Sequence, residues 1–135
     1  MYLNEACLVV HTKIVFTEKA PKPVGPYSQV VISGGFIFIS GQIPIDPETS
    51  KLVESGIEAQ TVQMLENLTN ILESINLTLN DAVKTSVYLC DLRDFKSFNG
   101  VYSRYFEVNL PARTIAQAGL MAGVLVEIDS IAKKS

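Results

Sequence analysis

Short stretches rich in β-branched and aromatic residues recur along the chain and predict six β-strands. They cover residues 12–16, 27–32, 36–40, 81–90, 112–118 and 124–132. Two adjacent glycines, Gly34 and Gly35, separate the second and third stretches and predict a hairpin there. In the fourth stretch, the alternation of apolar and polar residues predicts a common face for Val83, Thr85, Val87 and Leu89.

Two longer stretches have the spacing of amphipathic helices. The first covers residues 55–76 and repeats apolar residues every three or four positions, namely Ile57, Met64, Leu65, Leu68, Ile71, Leu72 and Ile75. Ser55, followed three residues later by Glu58, fits a capping box at its start. The second covers residues 94–108, and its aromatic stripe is typical of packing on a sheet; the stripe contains Phe95, Phe98, Tyr102, Tyr105 and Phe106. Proline-rich segments at 20–26 and 41–49 predict loops.

The order of these elements, β-β-β-α-β-α-β-β, predicts an α+β fold in which two helices cover one face of one sheet. A length of 135 residues suits a single domain. We assign this domain to residues 12–135 and interpret residues 1–11 as an N-terminal extension. Because the strands are too apolar to leave the second sheet face in water, we expect neighbouring subunits to cover it.

Charge, cysteine content and apolar run lengths narrow the class of protein. The net charge is −3 and the 11 lysines and arginines are scattered, so the sequence does not favour a nucleic-acid partner. Cys7 and Cys90 form no C-x-x-C motif and are interpreted as reduced thiols. No apolar run approaches the roughly 18 residues of a membrane span, and residues 1–10 lack the basic start of a signal peptide. We therefore expect a cytoplasmic protein without a membrane partner.

The usual catalytic motifs are missing from the sequence. His11 is the only histidine, which excludes histidine pairs, Ser-His-Asp triads and clusters of histidine metal ligands. The glycine-rich motifs that bind dinucleotides or nucleoside triphosphates do not occur. We therefore expect neither a metal nor a cofactor, and the chemistry falls to Arg, Glu, Tyr, Ser, Asn and backbone groups.

Two charged residues within the last two predicted strands are candidates for that chemistry. Alternation places Arg113, Ile115 and Gln117 on one face of their strand, and Glu127 with Asp129 on one face of the next. If the two strands pair as a hairpin, Arg113 and Glu127 share a face. Burying a charged side chain within an apolar strand costs free energy unless the charge is paired or takes part in a function. One interpretation is a salt bridge at a subunit contact. The other is a site in which the arginine binds a carboxylate and the glutamate holds a water that hydrolyses a C=N bond.

Six motifs occur in order and carry a resemblance to a known family: GPYSQ at 25–29, SGQIP at 40–44, VKTSVY at 83–88, Asn99-x-x-Tyr102 with Phe106, PAR at 111–113 and VEID at 126–129. Together they resemble the RidA/YjgF family, also called L-PSP endoribonuclease, from about residue 12 to the C-terminus. The resemblance implies a chorismate-mutase-like α+β fold with a mixed six-stranded sheet. It also implies a homotrimer with three clefts between subunits. The implied activity is hydrolysis of 2-imino acids and their enamine tautomers, such as 2-iminobutyrate and 2-aminoacrylate, to 2-keto acids and ammonia without a cofactor.

The same resemblance assigns roles to individual residues. Arg113 resembles the arginine that binds the substrate carboxylate, and Glu127 the glutamate that positions the attacking water. The expected substrate pocket also contains Tyr27, Ser40, Gly41, Asn99 and Ile115. Ile115 is a departure, since many relatives have a cysteine there. A second departure is the turn at 119–123, which is one residue shorter than usual and lies next to Glu127.

Three other functions are compatible with these residues. The older family name suggests an RNA-cleaving inhibitor of translation, although the acidic chain lacks a histidine pair for cleaving a phosphodiester. A trimer that binds small carboxylates without turnover would use Arg113 alone. A purely structural trimer would use Arg113 and Glu127 as an interface ion pair.

Overall fold

The computed structural model describes residues 12–134, so the extension predicted at residues 1–11 lies outside the described residues. The strands are β1 (Lys13–Val15), β2 (Val30–Ser33), β3 (Phe36–Gln42), β4 (Ile45–Asp46), β5 (Lys51–Leu52), β6 (Ala82–Leu89), β7 (Ala112–Gln117) and β8 (Val126–Lys133). The helices are α1 (Ile57–Glu73) and α2 (Phe95–Tyr105). The α+β class and the order of its long elements agree with the sequence-based prediction.

Six strands form one mixed sheet in the order β1-β2-β3-β8-β6-β7. Strands β6 and β7 are parallel, and every other neighbouring pair in this sheet is antiparallel. The predicted hairpin between the last two strands is therefore wrong, because β8 lies between β3 and β6 while β7 forms the edge. Helix α2 connects β6 to β7, as a parallel pair requires, since a tight turn cannot join parallel strands.

The hydrophobic core lies between one face of this sheet and the two helices. Helix α1 contributes Met64, Leu65, Leu68, Ile71 and Leu72, all fully buried. The aromatic stripe of α2 packs as predicted through Phe98, Tyr102 and Phe106, whereas Phe95 stays 41% exposed. The sheet contributes Ile37, Ile39, Val87, Leu89, Val126 and Ile128. Neither helix, within the part of the chain that the structure describes, is long and apolar enough to cross a membrane.

Strand β6 departs from its predicted alternation at one residue. Thr85, Val87 and Leu89 are buried on the helix side, but Val83 is 44% exposed. The pairing of β6 with β8 shifts register between Ala82 and Lys84. A shift of this kind leaves one residue out of the alternating pattern, which explains the position of Val83.

Several element boundaries predicted from short sequence motifs differ from those in the structure. The capping box at Ser55 is not formed: α1 follows Gly56, whose φ of 93° suits glycine, and no side chain caps the helix. Strand β2 begins at Val30 rather than at residue 27, because the Tyr27 amide donates to the Gly25 carbonyl in a turn (2.8 Å). The predicted loop at 41–49 contains the end of β3 and the whole of β4, which pairs with β5 just beyond it in a small hairpin.

The second face of the sheet carries exposed apolar side chains. Phe36 and Phe38 alternate with buried residues along β3 and are 39% and 44% exposed. Ile14 of β1, on the same face, is 67% exposed. Leaving such an apolar patch exposed to water is unfavourable in free energy. Cover by neighbouring subunits remains our prediction for this face.

Candidate functional site

Five of the seven residues expected at the site line two separate cavities. Tyr27, Gly41 and Glu127 line a cavity of about 140 Å³, which we call the Glu127 cavity. Arg113 and Asn99 line a cavity of about 320 Å³, which we call the Arg113 cavity. Each cavity contains one of the two charged residues that the sequence singled out.

Arg113 and Glu127 do not share a sheet face, so this expectation from the sequence is wrong. Arg113 lies opposite Thr85 of β6, whose buried hydroxyl contacts helix α2. Glu127 lies opposite Tyr88 of β6, whose side chain points to the other face. The expectation assumed a β7–β8 hairpin, but β6 separates the two strands. Among residues 12–134, Arg113 and Glu127 therefore form no ion pair.

The Glu127 carboxyl group packs directly against the backbone of β3. Its neighbours in β8, Val126 and Ile128, are fully buried on the helix side, so alternation directs Glu127 to the opposite face. A Cβ atom at Gly41 would lie 3.0 Å from Glu127 Cδ and 3.1 Å from Oε2. The pairing of β3 with β8 shifts register next to Gly41. Only glycine leaves this carboxyl group its present position.

Tyr27 lines the Glu127 cavity, and Ser40 lies next to Gly41 just outside it. The Ser40 hydroxyl donates to the Ser28 carbonyl at 2.6 Å and thereby ties the preceding loop to β3. Tyr27 is 51% exposed, and its hydroxyl accepts a hydrogen bond from the Val24 amide at 3.3 Å. About half of Tyr27 is therefore accessible to a ligand, whereas the Ser40 hydroxyl proton is already used within the chain.

Burial and a neighbouring carboxylate both act on Glu127. Partial burial raises the pKa of the Glu127 carboxyl above its usual range, and the charge of Asp129 raises it further. Asp129 accepts a hydrogen bond from the Tyr88 hydroxyl at 3.1 Å, and this contact raises the pKa of Tyr88. A raised pKa makes a carboxyl group a stronger base than an ordinary glutamate, which suits it to acid–base catalysis.

The Arg113 guanidinium lies against three residues of helix α2. Its Nη1 donates to Asn99 Oδ1 at 2.8 Å. Its Cζ lies 4.7 Å from the centroid of the Tyr102 ring and 6.0 Å from that of Phe95. Pro111 and Phe106 add an apolar wall to the same cavity. A fixed guanidinium beside an apolar wall is suited to binding a small organic carboxylate.

Ile115 occupies a different environment from the other expected pocket residues. It lies opposite Val87 and on the same face as Arg113, as the alternation predicted. Its side chain is half-buried and packs against the hydrophobic core. In this chain Ile115 therefore contributes to the packing of the core, on the sheet face that also carries Arg113.

Three residues near the candidate site were not chosen from the sequence. Tyr102 was interpreted only as core, although its spacing of three from Asn99 places both on one helix face. Asp129 shares the face of Glu127 by simple alternation and could have been chosen. Tyr88 could not, because its position opposite Glu127 depends on strand pairing.

Comparison with known proteins identifies the family. The sequence profile of the endoribonuclease L-PSP family matches residues 17–134. The chain belongs to the RidA/YjgF family. A RutC family protein of Pyrococcus abyssi is 51% identical over 123 residues, which are 90% of this chain and 97% of that protein. Mouse 2-iminobutanoate/2-iminopropanoate deaminase is 44% identical over 121 residues, covering 89% and 90% of the two chains.

The solved structures of the RidA/YjgF family share this fold. The crystal structure of RidA from an Antarctic Psychrobacter species superimposes with a TM-score of 0.86 at 42% identity. The match covers 90% of this chain and 99% of that one. The sheet and helices that carry the candidate site of this chain thus belong to a fold that it shares with that protein.

Proposed function

We propose that the chain is a hydrolytic deaminase that converts 2-imino acids and their enamine tautomers to 2-keto acids and ammonia. The observation that carries this proposal is the Glu127 carboxyl group, held against Gly41 at an open cavity with a raised pKa. The mouse relative, whose name states this activity, adds support. Small substrates such as 2-iminobutyrate and 2-aminoacrylate fit the size of either cavity.

We further propose that the working site lies between subunits of a homotrimer. In one chain the anchor for a carboxylate and the group that handles protons lie on opposite sheet faces. Arg113 is on the edge strand β7, where a neighbouring subunit can approach it. The exposed Phe36 and Phe38 on the other face favour contact between copies. The Arg113 cavity of one subunit would then face the Glu127 cavity of the next.

In the proposed reaction Arg113 binds the substrate carboxylate and fixes the C=N bond beside Glu127. The Glu127 carboxylate accepts a proton from water as the water oxygen bonds to C2 and the π electrons move to nitrogen, which takes up a proton from the solvent. Glu127 then returns its proton to the amine as the C–N bond breaks. The remaining hydroxyl loses its proton, and a 2-keto acid and ammonia leave. An enamine first takes a proton at C3 to become the imine.

The test measures 2-ketobutyrate released from 2-iminobutyrate, which a threonine dehydratase generates in the assay. Semicarbazide reacts with the imine that is not hydrolysed. The protein must therefore hydrolyse 2-iminobutyrate faster than semicarbazide reacts with it. Wild type should release the keto acid faster than the trapping reaction, and Arg113→Ala should not. If neither protein accelerates the release although both are folded, the chain is not a deaminase and binding of small carboxylates without turnover is the remaining function for Arg113.

Cleavage of RNA is a second candidate, favoured by the name of the matching family. The same acid–base group, Glu127, would have to serve it. If single-stranded RNA is cut by wild type and not by Glu127→Gln, with an affinity that falls steeply with salt, this activity belongs to the same site.

A further inference from the structure

The Arg113 side chain packs against aromatic rings that have no role in the proposed reaction. Arginine is a long side chain with many rotamers, and fixing it costs conformational free energy. Arg113 is exposed at the edge of the sheet. Among the described residues its one hydrogen bond is to Asn99, through Nη1. A single hydrogen bond does not fix the plane of a guanidinium.

The Tyr102 ring supplies the second point of contact, at 4.7 Å from Arg113 Cζ. This distance lies within the range in which a guanidinium and an aromatic ring attract each other. The ring of Phe95 is more distant, at 6.0 Å, and is more exposed. Tyr102 is therefore the principal aromatic partner of Arg113.

The Tyr102 ring is itself held rigidly. It is 6% exposed, and its hydroxyl lies 2.8 Å from the hydroxyl of the fully buried Thr85. The ring of Phe106 stacks on it with centroids 4.4 Å apart, and Phe98 packs at 5.5 Å. Thr85 is also the residue paired with Arg113 between β6 and β7. Contacts with β6, with α2 and with the Phe106 ring thus fix the position of the Tyr102 ring, against which the Arg113 guanidinium packs.

We propose that Tyr102 is a positioning residue, whose ring orients the Arg113 guanidinium so that the nitrogens not bound to Asn99 face the substrate carboxylate. This inference rests on the proposed function, because it assumes that Arg113 binds that carboxylate. The ring acts before the chemical step, by reducing the freedom that Arg113 loses on binding. Its loss should weaken ground-state binding and leave the later proton transfers at Glu127 almost unchanged.

The experiment compares Tyr102→Leu with Tyr102→Phe, since only the first removes the aromatic face. The probe is 2-ketobutyrate, an unreactive carboxylate, titrated by calorimetry into the assembled wild-type protein and each variant. We expect Tyr102→Leu to weaken binding about tenfold and Tyr102→Phe to stay within about twofold of wild type. KM for 2-iminobutyrate should rise in parallel in Tyr102→Leu, while kcat changes by less than about twofold.

Tyr105→Leu is the matched control, because it makes the same change on the same helix at a ring that contacts Glu66 instead (2.7 Å). It should bind 2-ketobutyrate as wild type does. If Tyr102→Leu binds normally, or if Tyr102→Phe is impaired as strongly as Tyr102→Leu, the ring does not position Arg113. A loss in kcat alone would equally contradict the proposal.

Arg113→Ala in the same titration separates this inference from the proposed function. If Arg113→Ala loses affinity and Tyr102→Leu does not, only the role of Tyr102 is wrong. If Arg113→Ala binds like wild type, both proposals fail. NMR of the wild-type protein gives a test without a folding risk. The Arg113 Nε proton, assigned by its absence in Arg113→Ala, should be shifted upfield by the ring, and an unshifted signal would contradict the contact.

Discussion

Arg113 and Glu127 lie on opposite faces of the sheet, and strand β6 separates the strands that carry them. The parallel pairing of β6 with β7 causes this arrangement, because it directs the Arg113 side chain toward helix α2. Glu127 points to the face that the helices leave uncovered. A reaction that uses both residues on one small substrate therefore needs a second copy of the chain.

Replacing Glu127 by Gln should stop the chemistry without removing the carboxylate anchor. The amide keeps the size of the side chain but cannot take a proton from water, a change that costs about 10²–10⁴-fold in rate for an acid–base residue. Binding of 2-ketobutyrate should change much less, because Arg113 is intact. Semicarbazide competition gives the rate and calorimetry the affinity. Normal turnover by this variant would remove Glu127 from the mechanism.

The acidic limb of the pH–rate profile should depend on Asp129. Its negative charge raises the pKa of Glu127, so Asp129→Asn should lower that pKa and move the limb to lower pH. Within one chain, the other ionisable groups around Glu127 are Tyr88, on the adjacent strand, and Tyr27 and Lys22, which line its cavity; the proposed trimer adds Arg113 of a neighbouring subunit, which is present in both wild type and Asp129→Asn. The profile of kcat/KM is the measurement.

Glu73→Gln, at the exposed end of α1, is the control for that profile and should leave the limb in place. A limb that does not move in Asp129→Asn would show that Glu127 is not the group whose ionisation limits the rate.

The raised pKa of Glu127 should also make the stability of the folded protein depend on pH, in a direction that can be stated in advance. Because the folded pKa of Glu127 exceeds its unfolded value, its stabilising contribution is complete below the unfolded pKa. That contribution is lost as pH rises through the folded pKa. Glu127→Gln stays neutral, so it should raise the unfolding temperature relative to wild type more at pH 8 than at pH 4. An equal shift at both pH values would contradict a raised pKa.

Gly41→Ala should damage activity more than stability. The added Cβ would lie 3.0 Å from Glu127 Cδ, so the carboxyl group must move. A shift of a few tenths of an ångström should cost roughly tenfold in rate where geometry controls the reaction. Gly100→Ala on α2, where an added Cβ meets nothing within 4 Å, is the control and should be active and slightly more stable. Unaltered kcat/KM in Gly41→Ala would mean that the observed Glu127 position is not the active one.

The uncovered sheet face should control assembly. Phe38→Glu places a charge in the apolar patch and should convert the proposed trimer to folded monomers that do not hydrolyse imines. Sedimentation velocity gives the mass, and circular dichroism reports the fold. Ser97→Glu, at an exposed position of α2, is the control and should leave the mass unchanged. A monomeric Phe38→Glu with full activity would place the whole site within one chain.

Periodicity and motifs predicted the six main strands, both helices and the shared face of Arg113 and Ile115, because these features depend on neighbours in sequence. Strand pairing is not local, and the hairpin between the last two strands was therefore wrong. The same limit hid Tyr88, which meets Asp129 only through the pairing of β6 with β8. Gly41 was expected from a motif, but the reason for a glycine there, the Glu127 carboxyl group, is visible only in the structure.

The most direct test of a shared site mixes two inactive proteins. Equal amounts of Arg113→Ala and Glu127→Gln subunits are unfolded together, refolded as mixed trimers and assayed with 2-iminobutyrate. In a symmetric trimer with random assembly, about one quarter of the sites should join an intact Arg113 to an intact Glu127 of the neighbour, and activity should return to about that fraction of wild type. If the mixture stays as inactive as its components although mixed trimers form, the two residues do not act together across a subunit interface.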